Sequence, residues 1–305
     1  MKRTKLFAWL TVAFSLLPLC CKAQTYEQLW RDIDGYVRMD LPASVVSTAD
    51  KIYAKGQTER NIPQMMKAFI VRAEYRGNIA PDSLEIEKNR LKRWAETETD
   101  LLDRAVLNCI VGDMVLNSPQ YDVDEAVRYF ESSLANKRML VKASAKDYYP
   151  MTNSGWLSKK YFGDSMFDLL ARQAIRSLSS ASRFDSMPEQ EAAFSFYDDL
   201  IAHYESVGDR TAAFLCKESK LVFRYENMGI FKKYQSTVNE KVSELLSLAS
   251  QYKELPVCAD AYLKAASYCL NAGNKVKAVE VAQQGLKEYP KGEWTADLRK
   301  VMDNV

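Results

Sequence analysis

Apolar side chains recur every three or four positions along almost the whole chain, the spacing of one buried stripe on an α-helix. Leu29, Ile33, Tyr36 and Val37 make the first stripe. Val45, Val46, Ala49, Ile52 and Tyr53 make the second, after a break at Leu41-Pro42. Pro63, at a first-turn position where its missing N–H costs nothing, opens a helix carrying Met66, Phe69, Ile70 and Ala73. Pro81-Asp82-Ser83 starts another through Leu84, Leu91 and Trp94, and Leu101 to Leu116 is apolar enough to be buried on all sides. A shorter helix is expected over Asp124 to Leu134. The period-two alternation of a half-buried strand is confined to short stretches, and the one Asp-Gly pair, Asp34-Gly35, lies inside a helical pattern.

The rhythm stops between Lys137 and Gly163, where Tyr148-Tyr149-Pro150 and Asn153-Ser154-Gly155 read as a long ordered connection with one short helix. It resumes over Met166 to Leu178, Glu189 to Tyr204, Thr211 to Tyr225 and Phe231 to Leu248. Asp164-Ser165 and Gly208-Asp209 supply starts and stops. Residues 259–290 then spell a helical hairpin of the tetratricopeptide kind. Tyr262, Ala266 and Cys269 lie on one helix, Ala272-Gly273-Asn274 is the turn, Ala278, Ala282 and Gly285 lie on the other, and Pro290 closes it. Small side chains at those places let two antiparallel helices approach closely. A last helix, Thr295 to Val301, caps the array. The expected fold is all-α: about a dozen helices in stacked antiparallel hairpins, a degenerate α-solenoid whose repeat is clearest at the C-terminus. The expected organisation is 1–23, a signal peptide; 24–136, an N-terminal helical array; 137–163, the aromatic-rich connection; and 164–305, a C-terminal array.

The signal peptide rests on the positive Lys2, Arg3 and Lys5, the apolar run Leu6 to Leu19, and the small-x-small sequence Cys21-Lys22-Ala23 before Gln24. A lipoprotein signal with Cys20 or Cys21 as the modified residue is the alternative, although Leu19 stands where a small residue is usual. Export changes the charge picture. Without Lys2, Arg3, Lys5 and Lys22 the 42 basic residues become 38 against 40 acidic ones, so the net charge passes from +2 to −2. A near-neutral, mixed surface gives no electrostatic reason to expect nucleic acid. No other apolar run is long enough to cross a membrane. The mature chain is expected to be periplasmic or secreted.

Candidate chemistry is sparse. His203 is the single histidine, and its place near a helix end suggests a solvated or dipole-facing side chain. Asp198-Asp199 and Asp32/Asp34 sit on the polar faces of amphipathic helices, where carboxylates stay solvated. Cys109, Cys216, Cys258 and Cys269 remain after cleavage, without a CxxC or Cys/His cluster, and read as buried free thiols. Glycine-rich phosphate loops, HExxH and GxSxG are all missing. No catalytic residue, metal or cofactor is therefore expected, and the chain is read as a non-enzyme. The aromatics of the connection are the remaining candidates. Tyr148, Tyr149, Trp156 and Tyr161 form a candidate binding surface able to stack on a sugar or anchor a peptide, or they pin the connection to the helices together with Phe162 and Phe167.

Several stretches resemble the start of the large alpha-2-macroglobulin-like proteins of Bacteroides-type bacteria. They are Tyr26-Glu27-Gln28-Leu29-Trp30, Asp40-Leu41-Pro42-Ala43-Ser44 leading into Ala49-Asp50-Lys51-Ile52-Tyr53, and Pro63-Gln64-Met65-Met66-Lys67-Ala68. Ser133-Leu134-Ala135-Asn136, Asp147-Tyr148-Tyr149-Pro150 and Phe167-Asp168-Leu169-Leu170-Ala171, with Ala174-Ile175 after it, extend the similarity over nearly the whole mature chain. The C-terminal hairpin is similar to the repeat closing that family's helical N-terminal region. The resemblance implies a helical module that, in the family, precedes β-sandwich domains forming an envelope protease trap. The family's Cys-Gly-Glu-Gln thioester does not occur here, and no cysteine of this chain is followed by glycine. Trapping and the family's functional residues are therefore not carried over. The expected function is a secreted, non-catalytic module that binds a protein partner, as a stand-alone paralogue or as part of a split or truncated gene. The alternative is an envelope carbohydrate- or peptide-binding protein using the aromatics of 148–167.

Overall fold

The computed structural model describes residues 24–118, 120–152, 161–180 and 187–303. The signal-peptide residues 1–23 and Trp156 lie outside the described residues. Fourteen α-helices account for the described fold, and no strand accompanies them there. They are α1 (Tyr26–Arg38), α2 (Pro42–Glu59), α3 (Ile62–Ile79), α4 (Ser83–Thr97), α5 (Leu101–Leu116), α6 (Val123–Leu134), α7 (Lys137–Lys142), α8 (Met166–Ser180), α9 (Met187–Val207), α10 (Arg210–Glu226), α11 (Val238–Gln251), α12 (Ala259–Asn271), α13 (Lys275–Glu288) and α14 (Thr295–Asp303). Helices adjacent in sequence pack on one another, most extensively α2 on α3, α5 on α6 and α12 on α13. The expected stack of helical hairpins is what the fold shows.

Local chemistry sets the boundaries. Thr25 and Thr237 each form a capping box, with Gln28 at the start of α1 and Glu240 at the start of α11. Asn61, Asp100, Asp122, Asp209 and Asn274 cap five further helices through their side chains, satisfying backbone N–H groups that the first turn leaves unpaired. The box at Thr237 corrects the expected helix over Phe231 to Leu248. Residues 232–234 form a 3-10 turn, and α11 begins only at Val238 because Thr237 and Glu240 fix its start.

Glycine permits two of the close pairings. A Cβ on Gly112 of α5 would lie 2.8 Å from the Phe130 ring of α6, and one on Gly285 of α13 would lie 2.8 Å from Cβ of Tyr262 in α12. Either would force the paired helices apart.

The buried apolar side chains form three clusters. One joins α1, α2 and α3 through Leu29, Ile33, Val45 and Ile52. The largest runs from α3 to α10 and continues through residues 140–148. The third joins α10 to α14. The expected connection over 137–163 is therefore not a gap in the core. It holds α7 and a 3-10 turn at Ala145–Tyr148, with Leu140, Ala145 and Tyr148 buried. Its base is pinned where Ala145 N–H donates to the Asp164 carbonyl (2.7 Å) and Met166 N–H to the Ala143 carbonyl (2.8 Å).

Candidate functional site

Of the four aromatics singled out in the connection, the three that are described do not converge. Tyr148 is buried, its hydroxyl donating to Asp103 of α5. The next residue, Tyr149, is 64% exposed. Consecutive side chains leaving the 3-10 turn project to opposite sides, so one became core and the other surface. Tyr161 is half-buried against the C-terminal residues 293–294. There it stacks on Trp294 (centroids 6.1 Å apart, planes at 28°) and donates its hydroxyl to Glu293 (2.5 Å). Phe162 packs against Tyr204 and under the Arg172 guanidinium, and Phe167 is buried, so both pin the connection to the helices.

Tyr149 instead belongs with Tyr26 to Tyr75, which precede it by 123 to 74 places (149 − 26 and 149 − 75). With Pro150 it forms one rim of a groove of about 470 Å³ whose walls are α1 and α3. The periodicity that builds α1 puts Leu29 and Ile33 into the core, leaving Tyr26 and Trp30 half-covered on the flank facing α3. Trp30 is fixed from below, its indole N–H donating to Gln64 Oε1 (2.8 Å), and Lys67 lies over its ring at 4.4 Å. Burial holds Lys67 below the usual lysine range, partly offset by the attraction of Asp34. Tyr75 completes the aromatic lining, and burial raises its phenol. Exposed Glu27, Asp34 and Glu74 rim the groove together with Arg31 and Lys67. The result is a slot with aromatic walls and mixed charges, suited to holding an extended segment by stacking and hydrogen bonding. Sequence reasoning placed Trp30 and Tyr26 only in a motif, because a helix flank facing another helix looks like core.

A second groove of about 620 Å³ runs between α9, α10 and α11. Its cations are already matched: Lys217 pairs with Glu205 (2.6 Å), Lys220 with Asp198 and Arg224 with Glu244. Beneath it Glu218 is fully buried against Lys264 (2.6 Å), which also holds Asp260 (2.8 Å). Burial, opposed by Lys264, pushes the Glu218 carboxyl up to about 8.

The residues weighed for chemistry are placed as follows. His203 is buried, against the expectation of a solvated side chain. It meets the Phe167 ring edge-on at 5.3 Å, and burial with the nearby Lys137 lowers its basicity. Inward rotation of α9 puts it in the core despite its place near the helix end. Asp198 and Asp199 are exposed, Asp32 is half-buried, and Asp34 lies on the groove rim. Cys109, Cys216, Cys258 and Cys269 are buried free thiols. Among the described residues no three His, Cys, Asp or Glu side chains are grouped to hold a metal ion, and no helix is long and apolar enough to cross a membrane.

Comparison with protein-family models, with curated proteins and with solved structures gives no match to this chain.

Proposed function

We propose that the chain is an exported, non-catalytic helical-repeat module that binds a segment of a protein partner in the cell envelope, as the resemblance to the helical region of bacterial alpha-2-macroglobulin-like proteins suggests. The observation that carries the reading is the groove of Tyr26, Trp30, Tyr75 and Tyr149. Large, rigid aromatics with little conformational entropy to lose are the side chains that anchor protein interfaces, and here they line a slot with Tyr149 standing 64% exposed at its mouth. The matched ion pairs of the second groove make it a poorer receptor, since a charged partner would have to displace them. The burial of His203 beside Phe167 also argues against its serving as a general base.

Site-specific photo-crosslinking tests this reading. A benzophenone side chain at position 149, irradiated in intact cells of the host, should give one discrete protein adduct. Trp30→Ala should abolish it, and a crosslinker on the second groove at Ser247 should not reproduce it. Adducts from Ser247 alone would move the interface. Glycan binding lost on Tyr149→Ala would favour the carbohydrate reading. Methylamine-sensitive covalent adducts with proteases, or turnover of any substrate abolished by His203→Ala, would overturn the scaffold reading.

A further inference from the structure

Behind the groove, α3, α5 and α8 enclose a separate cavity of about 140 Å³, closed on its fourth side by Tyr148, Met151 and Thr152. Its wall is almost wholly apolar, with Val106, Ile110 and Leu170 facing Met166 and Ile70. A void of this size, near the ~150 Å³ of an engineered cavity that admits benzene, accepts a single six-membered ring.

Its polar features are few, and the one left unsatisfied is an acceptor. Ser177 Oγ donates to Asp113 Oδ1 (2.6 Å) and accepts from Gln173 Nε2 (3.0 Å). Because the hydroxyl's one proton goes to the carboxylate, the Gln173 amide must present its NH2 to Ser177. That leaves Gln173 Oε1 buried with no donor, a costly arrangement in an apolar wall. Tyr148 and Thr152 have already given their hydroxyl protons to Asp103 and to the Ala145 carbonyl. Asp113 has no cation beside it among the described residues: burial raises its carboxyl, opposed only by hydrogen bonds from Ser177 and Gln173.

Asp113 also lies at the doorway. With Ile70 and Met114 it borders both the cavity and an outer cleft of about 480 Å³. The linings of cavity and cleft contain Asp113 and Glu74 and not one lysine, arginine or histidine. An apolar chamber whose entrance carries carboxylates, and whose unsatisfied group is an acceptor, is complementary to a molecule with an apolar body and a cationic donor head.

We propose that this cavity binds a small organic amine, its ring or short alkyl body between α3, α5 and α8 and its ammonium group at Asp113 and Gln173. The ammonium supplies both the missing counter-charge and the donors that this corner lacks. The site is independent of the partner groove and does not rest on it.

An isosteric series tests the proposal on the mature chain: benzylamine, benzyl alcohol and toluene, titrated by calorimetry at pH 7. Benzylamine should bind saturably and about tenfold or more tighter than the other two, as a charge-assisted hydrogen bond requires. Asp113→Asn, which keeps the shape and the Ser177 contact, should remove that preference while leaving toluene unchanged. In the unmodified protein, amide resonances of Asp113, Met114 and Gln173 should shift with benzylamine, a readout that needs no variant. Failure of benzylamine to bind, equal or tighter binding of the neutral members, an unchanged preference in Asp113→Asn, or shifts confined to other residues would each overturn it.

Discussion

Replacing Gly112 by alanine should destabilise this protein, although the same change inside a helix normally helps. In α5 the substitution gains about 1 kcal/mol of helix propensity. Against that, the new Cβ would stand 2.8 Å from Phe130 Cε1 and 3.0 Å from both Cδ1 and Cζ. To restore an ordinary contact the ring would have to recede by about 0.6 Å. Phe130 is fully buried in the largest core cluster, so it has nowhere to go without moving α6. Overpacking of this kind costs about 1–3 kcal/mol, and with three ring atoms affected the upper half of that range applies. A net loss of about 1–2 kcal/mol follows from these two effects. Gly77→Ala in α3 is the control, since its Cβ would meet only Leu84, at 3.8 and 3.9 Å. It should be neutral or stabilising by up to about 1 kcal/mol. Urea unfolding followed by circular dichroism at 222 nm reads both midpoints. Phe130→Leu should relieve the clash, so the double variant should lose less than the two singles together, with a coupling of about 1 kcal/mol. A rise in midpoint for Gly112→Ala, or strict additivity with Phe130→Leu, would mean that α5 and α6 do not meet in this register.

Ala278→Trp should be more damaging still, by more than about 3 kcal/mol, because Ala278 is fully buried where α13 faces α12; a near-native melting temperature would refute the pairing. In a native chain beginning at Gln24, Cys109, Cys216, Cys258 and Cys269 should be nearly inert to Ellman's reagent and should react fully in urea, since all are buried and burial pushes Cys216 and Cys258 up to about 12. Rapid native labelling of any of them would contradict this. Burial, opposed by Arg172, raises the Asp168 carboxyl from 3.8 to about 6. Between those values the folded state holds a proton that the unfolded state has lost. The stability this group contributes is therefore complete below about 4 and lost as the pH rises through 6. Asp168→Asn should flatten the stability profile in that window, and an unchanged slope would show that Asp168 titrates alike in both states.

Much of the helical framework was legible because periodicity and caps agree. Leu101 to Leu116 is bounded by Asp100, whose side chain accepts from two backbone N–H groups, and both bounds match α5. At Phe231 periodicity ran past a boundary that only the side chains of Thr237 and Glu240 define, so the expected helix began seven residues before α11 and took in the 3-10 turn at 232–234. The candidate site was far less legible. Tyr148 and Tyr149 are indistinguishable as neighbours in sequence, and only the geometry of the 3-10 turn separates a buried from an exposed ring. Tyr149 reaches Trp30 and Tyr75 through tertiary packing, which no local pattern encodes. The same holds for the Asp113–Ser177–Gln173 chain, whose first two members lie 64 positions apart. Each alone reads as an ordinary polar residue on an amphipathic helix.

The two backbone hydrogen bonds that join 143–145 to 164–166 also govern how this protein can change over generations. The chain leaves the stack and returns to it at one closed junction, which ties the end of α7 to the start of α8. Insertions and deletions up to Thr152 disturb Tyr148 and Met151, which seal the cavity, and those at Tyr161 and Phe162 break the packing on Trp294 and Tyr204. Descendants of this sequence are therefore constrained at both ends of the segment, where it leaves the helical stack and where it rejoins it.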